Sequence, residues 1–390
     1  MRFAMPALPF LILAACTGAG DGVVAANGSA ETQAARGAQG LPFQIQPVGQ
    51  FDQPWAMTFV SANSALVTER PGRLWLWHPR DGSRIAVSGV PQVDAGGQGG
   101  LGDVVAHPNF ARNNLVYLSW VEAGEGDTRG AVVGRAELVI DNMGTGAAEL
   151  RNLQIIWRQA PKVTGRGHFG HRIAFSRDGH LFITNGERQQ FAPAQDPAQT
   201  LGKIVRLNDD GTVPADNPWA SRGGVAAQFW TMGHRNPLGL AFDAEGRLWE
   251  HEMGPRGGDE FNLIQRGQNY GYPIVSNGDN YDRSDIPDHP TRPEFAAPQV
   301  FWNPSISPAG MMIYSGSMFP RWRGDAFLGA LSGQALVRID LNGATAREGD
   351  RWPMGARIRE VEQGPDGAIY LLEDGGQGSR GRLLRLTRSR

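Results

Sequence analysis

The chain has 390 residues, a formal net charge of −2 and a charged fraction of 19%. This balance gives no electrostatic footprint of nucleic-acid binding, so we expect no nucleic-acid partner. A single cysteine, Cys16, excludes an intramolecular disulfide and a thiolate-rich metal cluster. The 53 glycines and 26 prolines fit many tight turns, and helical periodicity is hard to find after the N-terminal segment. The composition therefore favours an all-β fold.

Residues 1–16 have the pattern of a lipoprotein-type signal peptide. Arg2 gives a short basic start, residues 7–15 form an apolar stretch too short to span a bilayer, and Leu13-Ala14-Ala15-Cys16 resembles the bacterial lipobox. We therefore expect a periplasmic protein that touches the membrane only through a lipid anchor on Cys16. An ordinary signal peptide with an incidental cysteine is the alternative. Residues 17–41, rich in small residues, are predicted to form a flexible linker.

Six copies of one short unit follow this linker. Each unit has an apolar strand, a turn such as Asp-Gly, and a second apolar strand. The copies begin near Trp55, Leu101, His168, Leu238, Gly310 and Ile358. Six units spaced by roughly 45–70 residues are typical of propeller blades that carry loop insertions. We therefore predict one six-bladed β-propeller over residues 42–390, with a β-sandwich or two β domains as the alternative.

Polar clusters occur where these strands begin or where a hairpin ends. They lie at Gly96–Leu101 with Gln98, Gly167–Arg172 with His168, Gly233–Pro237 with Arg235 and Asn236, Glu252–Glu260, and Arg357–Arg359. In a propeller such positions can gather at one mouth of the ring. The sequence therefore predicts a site that several blades build together.

The residue types in these clusters suggest acid–base chemistry. Glu187 follows the strand that pairs with the His168 strand, and a histidine bonded to a carboxylate is a poised general base. A structural His–Glu pair is the alternative. Arg235 is always charged and can clamp a carboxylate, although a simple turn between blades also explains its motif.

Two further clusters suggest ion binding. The turn at Gly254-Pro255 exposes carbonyls of the kind that bind calcium, and the alternative is an arginine–carboxylate network without metal. Arg357 and Arg359 alternate along a strand, so both can face a polyanionic ligand. A solvated edge strand is the alternative there.

In their order along the chain, these motifs resemble the soluble quinoprotein sugar dehydrogenases. The similarity runs from about Pro54 to Leu386. It includes Gly-Gln-Gly-Gly-Leu, His-Phe-Gly-x-Arg, Gln-Asp-Pro with Leu-Gly-Lys-Ile-Val-Arg-Leu, Arg-Asn-Pro, Gly-Pro-Arg-Gly-Gly-Asp-Glu with Asn-Tyr-Gly-Tyr-Pro, and Arg-Ile-Arg-Glu-Val. The resemblance implies a six-bladed propeller that binds pyrroloquinoline quinone (PQQ) and Ca2+. Its implied activity is oxidation of the anomeric carbon of an aldose substrate to a lactone, with electrons passed on to an external acceptor.

The resemblance also implies a role for each matching residue. His168 is the implied base that takes the anomeric hydroxyl proton while hydride passes to the quinone, and Glu187 supports it. The implied cofactor contacts are Gln98, Arg235, Asn236, Arg357 and Arg359, with Arg235 at the reacting edge. The implied metal ligands are the carbonyls of Gly254 and Pro255 for the cofactor calcium, and Glu260 and Tyr270 for a second calcium.

Two residues depart from the family pattern. Ser332 stands where the family carries a lysine that pairs with a cofactor carboxylate, and His171 stands where it prefers a small residue. Two other functions remain open at this point: a calcium-dependent propeller hydrolase such as a sugar lactonase, and a non-catalytic sugar-binding propeller. The loss of the lysine favours the last of these.

Overall fold

The computed structural model describes residues 40–141, 146–376 and 380–389. The signal peptide and nearly all of the linker predicted for residues 1–41 lie outside the described residues. Across the ranges described, no helix is both long enough and apolar enough to cross a membrane.

The described residues form 24 β-strands and a few helices of one or two turns. In chain order the strands are β1 (Phe43–Gln50), β2 (Pro54–Ser61), β3 (Ser64–Glu69), β4 (Arg73–Trp77), β5 (Arg84–Ser88), β6 (Leu101–Ala106), β7 (Leu115–Ala123), β8 (Arg129–Ile140), β9 (Ala148–Arg158), β10 (Gly170–Phe175), β11 (Leu181–Asn185), β12 (Lys203–Leu207), β13 (Phe229–Met232), β14 (Pro237–Phe242), β15 (Leu248–Glu252), β16 (Asp259–Ile264), β17 (Val300–Trp302), β18 (Pro308–Ile313), β19 (Ala326–Ala330), β20 (Ala335–Asn342), β21 (Thr345–Pro353), β22 (Ile358–Gln363), β23 (Ile369–Glu373) and β24 (Arg382–Arg388). The helices are an α-helical turn at Phe110–Asn113 and 3-10 turns at Ala192–Gln195, Ala220–Arg222, Gly224–Gln228, His289–Thr291 and Pro320–Trp322.

These strands form six antiparallel blades of four strands. The first five blades are β2–β5, β6–β9, β10–β13, β14–β17 and β18–β21, and the sixth has the order β22-β23-β24-β1. A short parallel pairing of β5 with β9 joins the first two blades. The first strand of each blade packs against the first strand of the next, and β22 packs against β2, which closes the ring. The predicted six-bladed propeller is confirmed, and the sandwich alternative does not apply.

The hairpin signals in the sequence explain the blades locally. In the third blade, Ile173 of β10 pairs with Ile183 of β11 across the turn at Asp178-Gly179. Gly179 has φ +86°, a left-handed conformation that glycine adopts without strain. The inner strands of each blade are covered on both faces by the neighbouring blades, so strands such as β11 and β19 are buried along their whole length. Burying one such large apolar side chain stabilises the fold by roughly 1.5–3 kcal/mol.

The ring closes through the two ends of the described chain. β1 pairs antiparallel with β24, so that Phe43 lies opposite Arg388 and Ile45 opposite Leu386. The sixth blade therefore takes three strands from the C-terminal end and its outer strand from the N-terminal end. The first strands of the blades begin at one end of the ring, where the predicted polar clusters lie. We call this end the entrance end.

Candidate functional site

Loops from several blades line a cavity of about 390 Å³ at the entrance end. Predicted residues in its lining are Gln98, Asn236, Arg357 and Arg359. Gln98 precedes β6, Asn236 precedes β14, and Arg357 and Arg359 flank the first residue of β22. Antiparallel pairing places the end of the second strand beside the start of the first. Residues after β3, β15 and β23 therefore line the same cavity, and these are Arg70, Met253 and Asp374.

The predicted base and its carboxylate meet next to this cavity. His168 Nδ1 lies 2.5 Å from Glu187 Oε1, and both side chains are buried. The Phe191 N–H donates to Glu187 Oε2 at 2.7 Å, so the carboxylate is held at both oxygens. The His168 N–H donates to Gln98 Oε1 at 2.8 Å. With Nδ1–H donating to the carboxylate, Nε2 keeps its lone pair and has no hydrogen-bond partner within the described residues.

Electrostatics keep this histidine neutral. Burial disfavours the imidazolium and lowers the pKa of His168, and the hydrogen bond to Glu187 offsets only part of that effect. Burial alone would raise the pKa of Glu187, but the hydrogen bonds from His168 and Phe191 hold it below its usual value. Near neutral pH the pair is therefore an uncharged imidazole beside a carboxylate, which is the form a general base requires.

A buried carboxylate shapes the Arg235–Asn236 turn. Glu252 Oε2 accepts the N–H groups of both residues, the Asn236 contact at 3.2 Å, and Glu252 Oε1 lies 3.0 Å from His234 Nδ1. The Arg235 guanidinium donates to the carbonyls of Met253 at 2.9 Å and Gly254 at 2.5 Å.

This turn contains two buried polar atoms that have no hydrogen-bond partner among the described residues. They are Arg235 Nε and Asn236 Oδ1. Buried polar groups are nearly always satisfied, so these two atoms are well suited to contact a polar ligand.

Two predicted arginines share one carboxylate. Arg357 Nε donates to Asp374 Oδ2 at 2.9 Å, and Arg359 Nε donates to Asp374 Oδ1 at 2.7 Å. Burial would raise the pKa of Asp374, but the two guanidinium groups lower it below its usual value. Both arginines thus face the same way, as their alternation along the strand predicted.

A third cavity arginine, Arg70, was missed by the sequence analysis. It follows β3, and its guanidinium donates to the carbonyls of Gly97 and Gly99, the latter at 3.2 Å. Its Thr-Glu-Arg-Pro-Gly context has the ordinary appearance of a turn. The sequence did contain one signal: Arg70 follows the second strand of a hairpin, just as Glu187 does.

The Gly254-Pro255 turn is held by a neighbouring carboxylate. The Gly254 N–H donates to Asp259 Oδ1 at 2.9 Å, and Asp259 Oδ2 accepts the N–H of Ser307 at 2.7 Å. The Gly254 carbonyl already accepts from Arg235. The Pro255 carbonyl accepts no hydrogen bond from the part of the chain described, so it is available to a cation.

Glu260 belongs to a buried group of oxygen donors on β15 and β16. Glu250 lies opposite Asn262 and Glu252 opposite Glu260 in the strand register. Glu250 Oε1 and Asn262 Oδ1 are buried without hydrogen bonds, and burial raises the pKa values of Glu250 and Glu260. Ligand atoms of His234, Glu250 and Glu252 lie within 4.8 Å of one another. Carboxylate and amide oxygens suit a hard cation such as calcium.

Tyr270 adjoins this group, but its hydroxyl is used elsewhere. The hydroxyl donates to the Leu263 carbonyl at 2.7 Å, and the ring stacks on His234 at 4.8 Å. Any contact of Tyr270 with a metal would therefore use its backbone carbonyl.

The two departures from the family pattern lie at the cavity wall. Ser332 Oγ donates to Ser307 Oγ at 2.8 Å, and Ser307 lines the cavity. The His171 ring stacks on Trp55 with centroids 5.0 Å apart, and its Nδ1 lies 2.7 Å from Ser119 Oγ. Burial lowers the pKa of His171 to about 3, so this residue is a neutral part of the wall.

Arg172 does not share the mouth with His168, and that part of the sequence interpretation was wrong. Its guanidinium turns into the ring, 2.6 Å from Glu360 Oε2 and 2.8 Å from the Leu238 carbonyl. The pairing of β10 with β11 shifts in register between Gly170 and Ile173, and Arg172 in this irregular stretch points towards the neighbouring blades.

Comparison with known proteins gives consistent matches over nearly the whole propeller. A family model described as Glucose / Sorbosone dehydrogenase matches residues 51–385. The chain is 39% identical over 346 residues to the aldose sugar dehydrogenase YliI of Escherichia coli (strain K12), covering 87% of this chain and 91% of that protein. A crystal structure of a glucose dehydrogenase aligns with a TM-score of 0.83 at 42% identity, over 89% of this chain and 100% of the other. The PQQ-bound aldose sugar dehydrogenase of Streptomyces coelicolor aligns with a TM-score of 0.72 at 25% identity, over 89% and 98%.

Proposed function

Because this chain belongs to the glucose/sorbosone dehydrogenase family, we propose that it oxidises the anomeric carbon of aldose sugars to lactones with PQQ as hydride acceptor. The observation that carries the proposal is the buried His168–Glu187 pair beside a cavity lined by arginines. The chain is an oxidoreductase related to aldose and glucose dehydrogenases. The finer assignments of cofactor, metal and residue roles are proposals.

The cavity residues fit a planar polycarboxylate. Arg357 and Arg359 offer guanidinium groups, which bind carboxylates through paired charge-assisted hydrogen bonds. The unsatisfied Arg235 Nε and Asn236 Oδ1 offer a donor and an acceptor for a ligand with both polar types. The Streptomyces coelicolor relative in its PQQ-bound form supports the same ligand here. When bound, PQQ supplies the two-electron acceptor that no side chain can provide.

The residues of the chain handle the proton. His168 Nε2 takes the proton of the anomeric hydroxyl as the C1 hydrogen leaves as hydride, and the C1–O bond becomes the lactone carbonyl. Glu187 stabilises the imidazolium that forms and holds the ring in place. Arg235 contributes positive charge at the reacting end, because its carbonyl accepts the Glu187 N–H at 2.9 Å and its charge helps to lower the pKa of His168.

We propose calcium at two places. The Gly254 and Pro255 carbonyls would hold the ion that serves the cofactor, and Glu260, with the Tyr270 carbonyl and the neighbouring oxygen donors, would hold the second. The buried, unsatisfied Glu250 Oε1 and Asn262 Oδ1 support a cation at the second place. Without the positive charge of a cation, the buried carboxylates of Glu250 and Glu260 cannot both ionise there.

The location is also a proposal. A lipid on Cys16 would keep the propeller at a periplasmic membrane surface. An external electron acceptor would reoxidise the cofactor there. The anchor rests on the N-terminal sequence pattern, and the external acceptor rests on the resemblance to the quinoprotein sugar dehydrogenases.

The test is to add PQQ and calcium to the apo protein and follow quinone absorbance after adding an aldose. Reduction of the quinone with formation of one lactone per quinone supports the proposal. Hydrolysis of a sugar lactone without quinone would favour the hydrolase alternative. Sugar binding without either reaction would favour a binding protein.

A further inference from the structure

We propose that Arg70 is a cofactor-binding residue that adds a third guanidinium to the pair formed by Arg357 and Arg359 in the cavity lining. The inference rests on the proposed function, because it concerns how the cavity holds a polycarboxylate quinone. It follows from three features of Arg70: its place in the cavity lining, the partners of its guanidinium, and the charge balance around it.

The backbone of Arg70 is fixed at the cavity edge. Its N–H donates to the Gln53 carbonyl at 3.0 Å, and its carbonyl accepts the Leu101 N–H at 3.0 Å. Its guanidinium uses Nε and one terminal nitrogen on the carbonyls of Gly99 and Gly97. The other terminal nitrogen, Nη1, has no hydrogen-bond partner in the described ranges. The side chain is thus pre-oriented and keeps a donor for a ligand.

The charge balance makes this donor important. Arg357 and Arg359 share the single carboxylate of Asp374, so the three side chains together carry one net positive charge. Arg70 forms no ion pair within the described residues and therefore doubles the net charge of this group. Burial lowers the pKa of Arg70, the positive charge of Arg359 lowers it further, and the negative charge of Asp374 offsets part of this effect. A bound polyanion would relieve this repulsion.

Arg70 also connects the cavity with the base. The Gly97 and Gly99 carbonyls that it binds flank Gln98, whose side chain accepts the His168 N–H. A side chain on Gly100 would lie 2.2 Å from the Arg70 carbonyl, so the loop packs directly on this residue. Loss of Arg70 would therefore change both charge and loop position, and the experiment has to separate the two.

The experiment measures PQQ affinity of the calcium-loaded apo protein by fluorescence quenching at several salt concentrations. We expect R70Q to weaken binding at least about tenfold and to reduce the dependence of affinity on salt, because one charged contact is lost. The matched control is R166Q. Arg166 lies against the same loop but pairs with Asp94 and is not part of the cavity lining, so its loss should leave affinity within about threefold.

Two further variants distinguish the loss of charge from a displacement of the loop. R70K keeps the charge and should bind clearly better than R70Q, and adding S332K to R70Q should restore part of the affinity. The proposal is overturned if R70Q binds within about threefold of wild type, or if R70K binds no better than R70Q. It is also overturned if affinity falls with an unchanged salt dependence, which would indicate loop displacement only. A wild type that binds no PQQ would instead overturn the proposed function.

Discussion

His168 precedes the first strand of one β-hairpin by two residues, Glu187 follows its second strand by two, and their side chains meet at 2.5 Å between Nδ1 and Oε1. Gly170 pairs with Asn185 at the open end of that hairpin, which brings the residues just outside it together. The strand pairing of the blade therefore sets the geometry of the base. The strand pairing and the hydrogen bonds of Glu187 position the base before any substrate arrives, and such positioning lowers the entropic cost of proton transfer.

Replacing His168 by Gln should nearly abolish sugar oxidation. Loss of a general base typically costs about 10²- to 10⁴-fold in rate. PQQ affinity should stay close to wild type, because the His168 contact to Gln98 uses the backbone N–H. Stopped-flow reduction of the bound quinone by an aldose measures the rate, and a quinone titration provides the control. Turnover near the wild-type value would contradict the assigned mechanism.

Replacing Glu187 by Gln should move the pH profile in a defined direction. The carboxylate raises the pKa of His168 against the lowering effect of burial, so its removal lowers that pKa further. The acid limb of kcat/KM should therefore shift to lower pH, while the maximal rate falls because the imidazolium loses its partner. A pH–rate profile of both proteins checks this. A shift of the limb to higher pH would show that another group controls it.

Calcium should change how stability depends on pH. The pKa of Glu250 is raised by burial, so in metal-free protein its contribution is full below the unfolded value of 4.5 and is lost as pH rises through the higher folded value. A bound cation would remove this loss. We expect the melting temperature of chelated protein to fall with rising pH, calcium to restore it, and Glu250→Gln to reduce both effects. Equal melting curves with and without calcium would argue against the buried site.

Replacing Ser332 by Lys should tighten quinone binding. Ser332 lies beside the cavity through its bond to Ser307, and a charge-assisted hydrogen bond to a carboxylate contributes roughly 1.5–3 kcal/mol. That corresponds to about one to two powers of ten in affinity. Titration of both apo proteins measures it, and the rate of sugar oxidation at saturating quinone should change little. Unchanged affinity would mean that another cation already fills this role.

Replacing Cys16 by Ser should release the protein from membrane fractions or stall its processing. Lipid chains bind membranes in proportion to their buried length, about 0.8 kcal/mol per CH₂. Fractionation and intact-mass measurement of the mature protein check this. A wild-type protein that is found wholly in the soluble fraction with an unmodified cysteine would exclude the anchor.

Local patterns in the sequence were sufficient to predict the blades and much of the candidate site. The Asp-Gly turn of the third blade predicted the pairing that joins His168 and Glu187, because such pairing is set within a few residues. The direction of Arg172 was missed because it depends on Glu360, which is distant in the chain. Glu250 and Asn262 were missed because their juxtaposition requires the register of β15 and β16. Sequence spacing alone does not give that register.

The pairing of Phe43 with Arg388 has a consequence for biosynthesis. Of the strands described, the outer strand of the sixth blade leaves the ribosome first and its partner leaves last. Until then β24 does not exist, and the edge of β1 stays open to other strands. Contacts so distant in sequence form slowly, because a very long loop must close before they gain anything. Nascent chains of this protein should therefore need protection until β24 has been made, and deletion of β24 should leave an aggregating ring rather than a smaller propeller.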